Sequence, residues 1–380
     1  MKMNRKTFSL IVFVSATVYA ATTTGRFTMS ALFPRAVAAS PHEDDGRLVK
    51  AVGRQVRVVS FSFRERPIDE IVRLVDQEGA AGADLIVLPE AWAGKDPQPV
   101  DCPLMQRLAS IAKRHSTYIV NSMFRRDGDR AFNSAILIDR EGAIAGIYDK
   151  AFPFWAELET NADLHVGADV PVFDTDFGKL GIAICFDVNF PELWRRLADR
   201  DAELVVWPSA YSAGSALQAH AINHHFYIVT STWHSHCLVY DITGEQLVNS
   251  KRDGVNITRV SLDLDRRVYH ENYNWTKAQQ ILKDLPDDVA LDRFLDFEQW
   301  FVLKANRPGV NILSIAEKYG LEDHRDFIKR SRAEMDRRRG FTLDLPTEKA
   351  EEAVEQEATT TVPVIRNANV VVPSSAPTAQ

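Results

Sequence analysis

The feature that most constrains this chain is the stretch Lys179-Leu180-Gly181-Ile182-Ala183-Ile184-Cys185-Phe186-Asp187-Val188-Asn189-Phe190-Pro191-Glu192. A short run of Leu, Ile and Ala between turn residues reads as a buried strand. Pro191 suits the first turn of a helix, where its missing N–H leaves no bond unmade. Cys185 therefore stands where a buried strand hands over to a helix. At such a junction a thiol can face a cleft, and the N–H groups of the turn and helix start can face a developing anion. A cysteine in an apolar run is, taken alone, more often a core residue, because cysteine is among the most buried residue types.

Two further stretches end in the same way. Leu85-Ile86-Val87-Leu88-Pro89-Glu90 is an apolar strand that ends in a carboxylate, and Ile144-Ala145-Gly146-Ile147-Tyr148-Asp149-Lys150 is one that ends in a lysine. A carboxylate, an ammonium and a thiol at the ends of three strands can converge on one edge of a sheet. The surrounding pattern allows it. Val56–Phe61, Asp84–Glu90 and Tyr118–Ser122 read as strands, and Ile68–Glu78 and Leu104–His115 carry helical spacing between them. That is β-α-β-α-β, the pattern of a layered α/β domain. Hairpins follow around Asp139-Arg140-Glu141-Gly142 and Thr175-Asp176-Phe177-Gly178-Lys179. After Cys185 the alternation of helix and strand resumes, and a third hairpin turns at Ile242-Thr243-Gly244-Glu245.

In order and context, Glu90 in LPE, Lys150 in YDK and Cys185 in GIAICFDVNFPE resemble the Glu-Lys-Cys triad of the nitrilase (carbon–nitrogen hydrolase) superfamily. The resemblance covers roughly Gln55 to Arg266. It implies a four-layer αββα sandwich and hydrolysis of a non-peptide C–N bond in a small amide or carbamoyl compound, through a Cys thioester. A nitrilase acting on R–C≡N, an acyltransferase and a catalytically silent ligand-binding sandwich are the alternatives. The resemblance also implies a further glutamate after the lysine. Glu157 in Phe154-Trp155-Ala156-Glu157 matches it best, with Glu159 second. Phe154, Trp155 and Phe186 are expected to contact substrate, and Phe152 to form part of the pocket wall. Asn133 and Trp207-Pro208-Ser209-Ala210 resemble motifs that line the family's cleft. Asp187 is expected to orient local backbone rather than to transfer protons.

Composition narrows the rest. The 380-residue chain is 45% hydrophobic with 26% charged residues, enough to bury a large core. A net charge of −7 argues against nucleic acid as a partner. Three cysteines, Cys102, Cys185 and Cys237, are not a disulfide framework. His220, His224 and His225 are a weak zinc set, so no metal is expected, and the chemistry calls for no cofactor. Lys2, Arg5 and Lys6 precede an apolar stretch and two small-residue cleavage patterns, so residues 1–38 are expected to be an export signal, with cleavage after Ala38. The protein is then periplasmic or secreted, and membrane-bound only if the signal is uncleaved. Residues 55–275 are expected to form the hydrolase domain, 276–345 a helical extension and 346–380 a disordered tail. Asn256 and Asn274 head glycosylation sequons. By resemblance the subunits pair through helices near Cys185, as a homodimer or a larger assembly.

Overall fold

The structure is a computed structural model, and it describes residues 52–342. The segments expected to be an export signal and a disordered tail lie outside the described residues. The first sheet is built on β1 (Gln55–Ser62), β2 (Leu85–Val87) and β3 (Tyr118–Asp127), which pair in parallel. The helices α1 (Ile68–Ala80) and α2 (Pro103–His115) make the crossovers. β4 (Arg130–Ile138) and β5 (Ile144–Asp149) extend this sheet antiparallel, and β12 (Asn256–Asp263) closes its other edge on β1.

The second sheet repeats the plan. β7 (Gly178–Ile182), β8 (Leu204–Ser209) and β9 (Tyr227–Thr232) are parallel, with α4 (Pro191–Asp199) and α5 (Gly214–His224) between them. β6 (Val172–Thr175) flanks one side, and β10 (His236–Tyr240) and β11 (Gln246–Lys251) flank the other, all antiparallel. The short helix α3 (Trp155–Thr160) lies in the connection between the sheets.

The period of two along each strand produces the layers. In the first sheet Val87, Val120 and Leu137 pack toward the second sheet, against Leu180, Ile182 and Val206. Their neighbours Ile86, Ile119 and Ile136 pack outward with Ile71, Val75 and Leu108 of α1 and α2. Leu193 and Trp194 of α4 and Leu217 of α5 are buried with the second sheet. The result is the expected αββα sandwich. Two hydroxyls cross between the sheets: Ser60 donates to the Thr230 carbonyl and Ser231 to the Phe61 carbonyl, each at 2.5 Å. All three cysteines are free and buried. Both sequon asparagines are also buried. Asn256 donates to the carbonyls of Ser235 and Ser250, and Asn274 to those of His270 and Glu322, so neither amide is open to modification in the folded chain.

The C-terminal extension carries the expected helices, and strands not foreseen from the sequence run among them. The helices α6 (Trp275–Asp284), α7 (Ile312–Tyr319) and α8 (His324–Arg339) are present, but a hairpin stands among them. β14 (Val289–Leu295) and β15 (Trp300–Ala305) pair antiparallel, and β13 (Arg267–His270) adds to β15. Trp300-Phe301-Val302-Leu303 is aromatic and branched, which suits a pleated surface, and its partner β13 lies some thirty residues upstream, outside any local window. Because β13 belongs to this third sheet, the extension begins before residue 276. Phe301, Leu303, Ile281 and Ile312 form its own small core.

One buried arginine ties this sheet to the sandwich. Arg266 pairs with Asp241 and donates to the Tyr227 hydroxyl at 2.6 Å and to Asp292 of β14 at 2.7 Å. Its side chain is 12% exposed, that of Asp241 1% and that of Asp292 10%. Removing one member of a buried ion network strands the other charges. Arg266→Ala is therefore expected to lower unfolding free energy by about 3–5 kcal/mol, measured by urea denaturation, with the larger part of the loss appearing as early exchange of the β14–β15 amides.

Candidate active site

Glu90, Lys150 and Cys185 are brought together by the first and second sheets. Each follows the end of a strand: Glu90 after β2, Lys150 directly after β5, and Cys185 after β7. All three are buried, Lys150 to 1% exposure. The Lys150 ammonium donates to Glu90 Oε1 at 2.8 Å and to Glu157 Oε1 at 2.6 Å. Asn133 of β4 runs parallel to the lysine. Its Nδ2 donates to the same Glu90 Oε1 at 2.8 Å and to Glu157 Oε2 at 2.9 Å. The second Glu90 oxygen accepts the Ala210 N–H at 2.8 Å, and the Glu90 carbonyl accepts the Trp233 indole N–H at 2.6 Å. Two carboxylates are thus held by one ammonium and one amide.

Cys185 opens a 3₁₀ turn, Cys185–Asn189, which leads into α4 at Pro191. Its φ of 47° is left-handed, a conformation that costs a side-chain-bearing residue about 1–2 kcal/mol. Such strain persists only where surrounding bonds hold it, and it collects at functional sites. Here Asp187 does the holding. Its two oxygens accept the Ile184 N–H (2.7 Å), the Tyr148 hydroxyl (2.7 Å) and the Phe152 N–H (2.9 Å). It therefore locks the cysteine turn to the strand end that carries Lys150. Trp207 Nε1 donates to the Cys185 carbonyl at 3.1 Å, and Trp194 Nε1 to the Asp187 carbonyl at 3.0 Å.

The electrostatics follow from burial. Desolvation and the Glu90 carboxylate push the Cys185 thiol up to about 12, against the pull of Lys150 and of hydrogen bonds from Ser209 and Ala210. The resting sulfur is a thiol. Burial alone would lower the lysine, but the Glu90 and Glu157 carboxylates outweigh it and hold Lys150 above the ordinary lysine value. Full burial raises the Asp187 carboxyl to about 7, despite its donors.

A cavity of about 1090 Å³ opens over these groups. Phe154, Phe186 and Glu157 line it. Trp155 does not. It is the first residue of α3 and is 67% exposed, because the helix turns Glu157 inward and leaves Trp155 facing solvent. Phe152 also stands back from the cavity and stacks on Phe190 at 3.8 Å. Glu159 is exposed, and the carboxylates that reach the lysine are those of Glu90 and Glu157. Sequence reasoning missed Tyr148 and Trp233 as supports. Tyr148 sits two residues before Lys150, a position that alternation places on the lysine's face of the strand, so the signal was there to read. Trp233 had none, since only tertiary packing brings it to Glu90. Among the described residues, no cluster of three or more His, Cys, Asp or Glu side chains is placed to hold a metal ion.

The two-sheet sandwich thus carries a carboxylate, an ammonium and a thiol just past three of its strand ends. Residues 60–268 match the carbon-nitrogen hydrolase family, and the chain belongs to it. The chain is 24% identical over 280 residues to the citrullinase of Francisella tularensis subsp. tularensis, an alignment that spans 62% of this chain and 98% of that protein. It is 30% identical over 248 residues to a hydrolase encoded in the pqqF 5' region of Pseudomonas protegens, covering 58% of this chain and 86% of the relative. The deaminated glutathione amidase of Rattus norvegicus is 26% identical over 246 residues, 54% of this chain and 75% of its own. In fold it is similar to Saccharomyces cerevisiae Nit3, a member of branch 10 of the nitrilase superfamily, with a TM-score of 0.50 at 19% identity over 56% of this chain and 91% of that one. The protein is an enzyme that hydrolyses C–N bonds.

The Asp187 carboxyl also makes stability depend on pH. In the unfolded chain it ionises near pH 4, whereas in the folded chain it keeps its proton to about 7. Between those values the folded state binds more protons, so stability falls as pH rises from about 4 to 7 and levels off above that. Asp187→Asn cannot ionise. Urea denaturation at pH 4, 5.5 and 8 is expected to show wild type losing stability relative to this variant across the window.

Proposed function

We propose that the chain hydrolyses the carboxamide or carbamoyl C–N bond of a small molecule through a thioester on Cys185. The observation that carries this reading is the Glu90–Lys150–Glu157 network at 2.8 and 2.6 Å beside a buried cysteine held in a strained turn. An amide carbon is a weak electrophile. It needs a strong nucleophile, a stabilised oxyanion and a proton for the departing nitrogen.

Glu90 supplies the base. It takes the Sγ proton as sulfur attacks the carbonyl carbon, so thiolate forms only as the new C–S bond does. The C=O electron pair moves to oxygen. Lys150 and the N–H of Phe186, at the start of the turn, stabilise that oxyanion. The oxyanion collapses, the C–N bond breaks, and the proton on Glu90 passes to the leaving nitrogen. Ammonia or amine departs from a thioester. Water then attacks the thioester carbon and gives a proton to Glu90, which returns it to the departing sulfur. The acid product leaves. Glu157 and Asn133 keep Lys150 and Glu90 in register, and Glu157 leaves the charge of the lysine balanced while Glu90 is protonated.

Intact-protein mass spectrometry after incubation with a panel of amides, carbamoyl compounds and nitriles tests the nucleophile. Wild type is expected to carry an acyl adduct or release ammonia, and Cys185→Ala to do neither. A wild type that carries no acyl adduct and releases no ammonia with any member of the panel would favour the silent ligand-binding alternative. The base role has its own signature. Glu90 raises the Cys185 pKa, so Glu90→Gln is expected to bring the alkylation midpoint down the pH scale. The same variant is expected to lose about 100- to 10,000-fold in kcat, since a positioned acid–base group contributes that much.

A further inference from the structure

The cavity is far larger than an amide group, and its walls describe what else the substrate carries. Five aromatic side chains line it: Phe124, Phe154, Phe186, Tyr211 and Trp233. Two of them begin at the reacting groups themselves. Phe186 follows Cys185 directly, and Tyr211 follows Ala210, whose N–H holds Glu90. Phe154 meets Phe186 edge to face at 5.3 Å, and Phe186 meets Phe190 at 5.6 Å, so the aromatic wall is braced rather than loose. A planar or apolar group attached at the scissile carbonyl would find a matching surface within its first bonds.

The charges point the same way. Among the described residues no arginine lines the cavity, and Lys95 is its one lining cation, with Asp96 beside it. Lys150 is already engaged by two carboxylates. Glu90, Glu157 and Asp96 against Lys150 and Lys95 leave a net negative site around a neutral thiol. A carboxylate on the substrate would enter a partly desolvated space without a bidentate partner and against that field.

We infer that the preferred substrates are uncharged carboxamides with an aromatic or apolar acyl group, seated on Phe186 and Tyr211, rather than amides that bear a second carboxylate. This rests on the hydrolase reading above and specifies its substrate class.

The test is a matched pair, phenylacetamide and 4-carboxyphenylacetamide, with ammonia release from the full chain measured at low ionic strength. The neutral amide is expected to lead in kcat/KM by about 10-fold or more, with the gap narrowing as added salt screens the site. Phe186→Ala is expected to raise KM for phenylacetamide by about 10-fold, with partial recovery in Phe186→Leu, which keeps apolar bulk in the pocket. Equal or faster hydrolysis of the anionic amide overturns the substrate class and leaves the hydrolase reading standing. So does silence from both amides while another member of the panel acylates Cys185. Silence from both, with no acyl adduct on Cys185 and no ammonia from any other amide, carbamoyl compound or nitrile of the panel, overturns the hydrolase reading, and this inference with it.

Discussion

A lysine ammonium with 1% exposure is the constraint on which the site depends. An unpaired charge there would neutralise itself rather than stay buried. Lys150 stays charged because two carboxylates reach it, Glu90 from the end of β2 and Glu157 from α3. Those carboxylates would repel each other without it. Asn133 adds a neutral donor to the same pair, so their separation is set by two bridges rather than one. The mutual need of these groups fixes where α3 sits, although that helix buries none of its own residues. It is held in place through the polar contacts of Glu157.

The second constraint is the left-handed backbone at Cys185. A strand that simply continued into a helix would bury the thiol in the core. The turn instead lifts it to the cavity floor, and Asp187 anchors it through three donors from two different segments. One of those donors is Tyr148, on the strand that ends at Lys150. The position of the sulfur and that of the ammonium are therefore coupled through one buried carboxyl. The raised thiol pKa follows from the same burial, and it makes a neighbouring base part of the proposed chemistry rather than an embellishment of it.

The extension shows how a segment outside the shared core can still be continuous with it. Its third sheet takes β13 from the end of the sandwich and closes on β15. Arg266 and Arg267, at that transition, carry the ion pairs that join the two, to Asp241 and Asp292 in one case and to Glu203 in the other. The expected helices are present here, and the strands among them were not legible because an apolar cluster takes its form from its partners. Trp300-Phe301-Val302-Leu303 has a composition that suits a strand, but a run so short also fits a buried helix, and its form is settled by pairing with β14 nearby and with β13 some thirty residues upstream.

Much of this protein was legible in the sequence. Three apolar runs that end in Glu90, Lys150 and Cys185 are local signals, and alternation of strand and helix is a matter of short-range spacing, so a layered α/β fold and three strand-end groups could be singled out from the residues, while the four-layer sandwich and the grouping of the three as a triad came from the family resemblance. Glu157 could be named too, but only as the better of two candidates. Tertiary structure decided between them, because which carboxylate reaches a buried ammonium depends on how α3 docks. It also decided that Trp155 faces solvent while Phe154 faces the cavity, that Ala210 and Trp233 support Glu90, and that the extension holds a sheet. Most of these depend on how one element packs against another. Sequence spacing records the geometry of one helix or strand, whereas such contacts arise only when burial and charge pairing bring separate elements together.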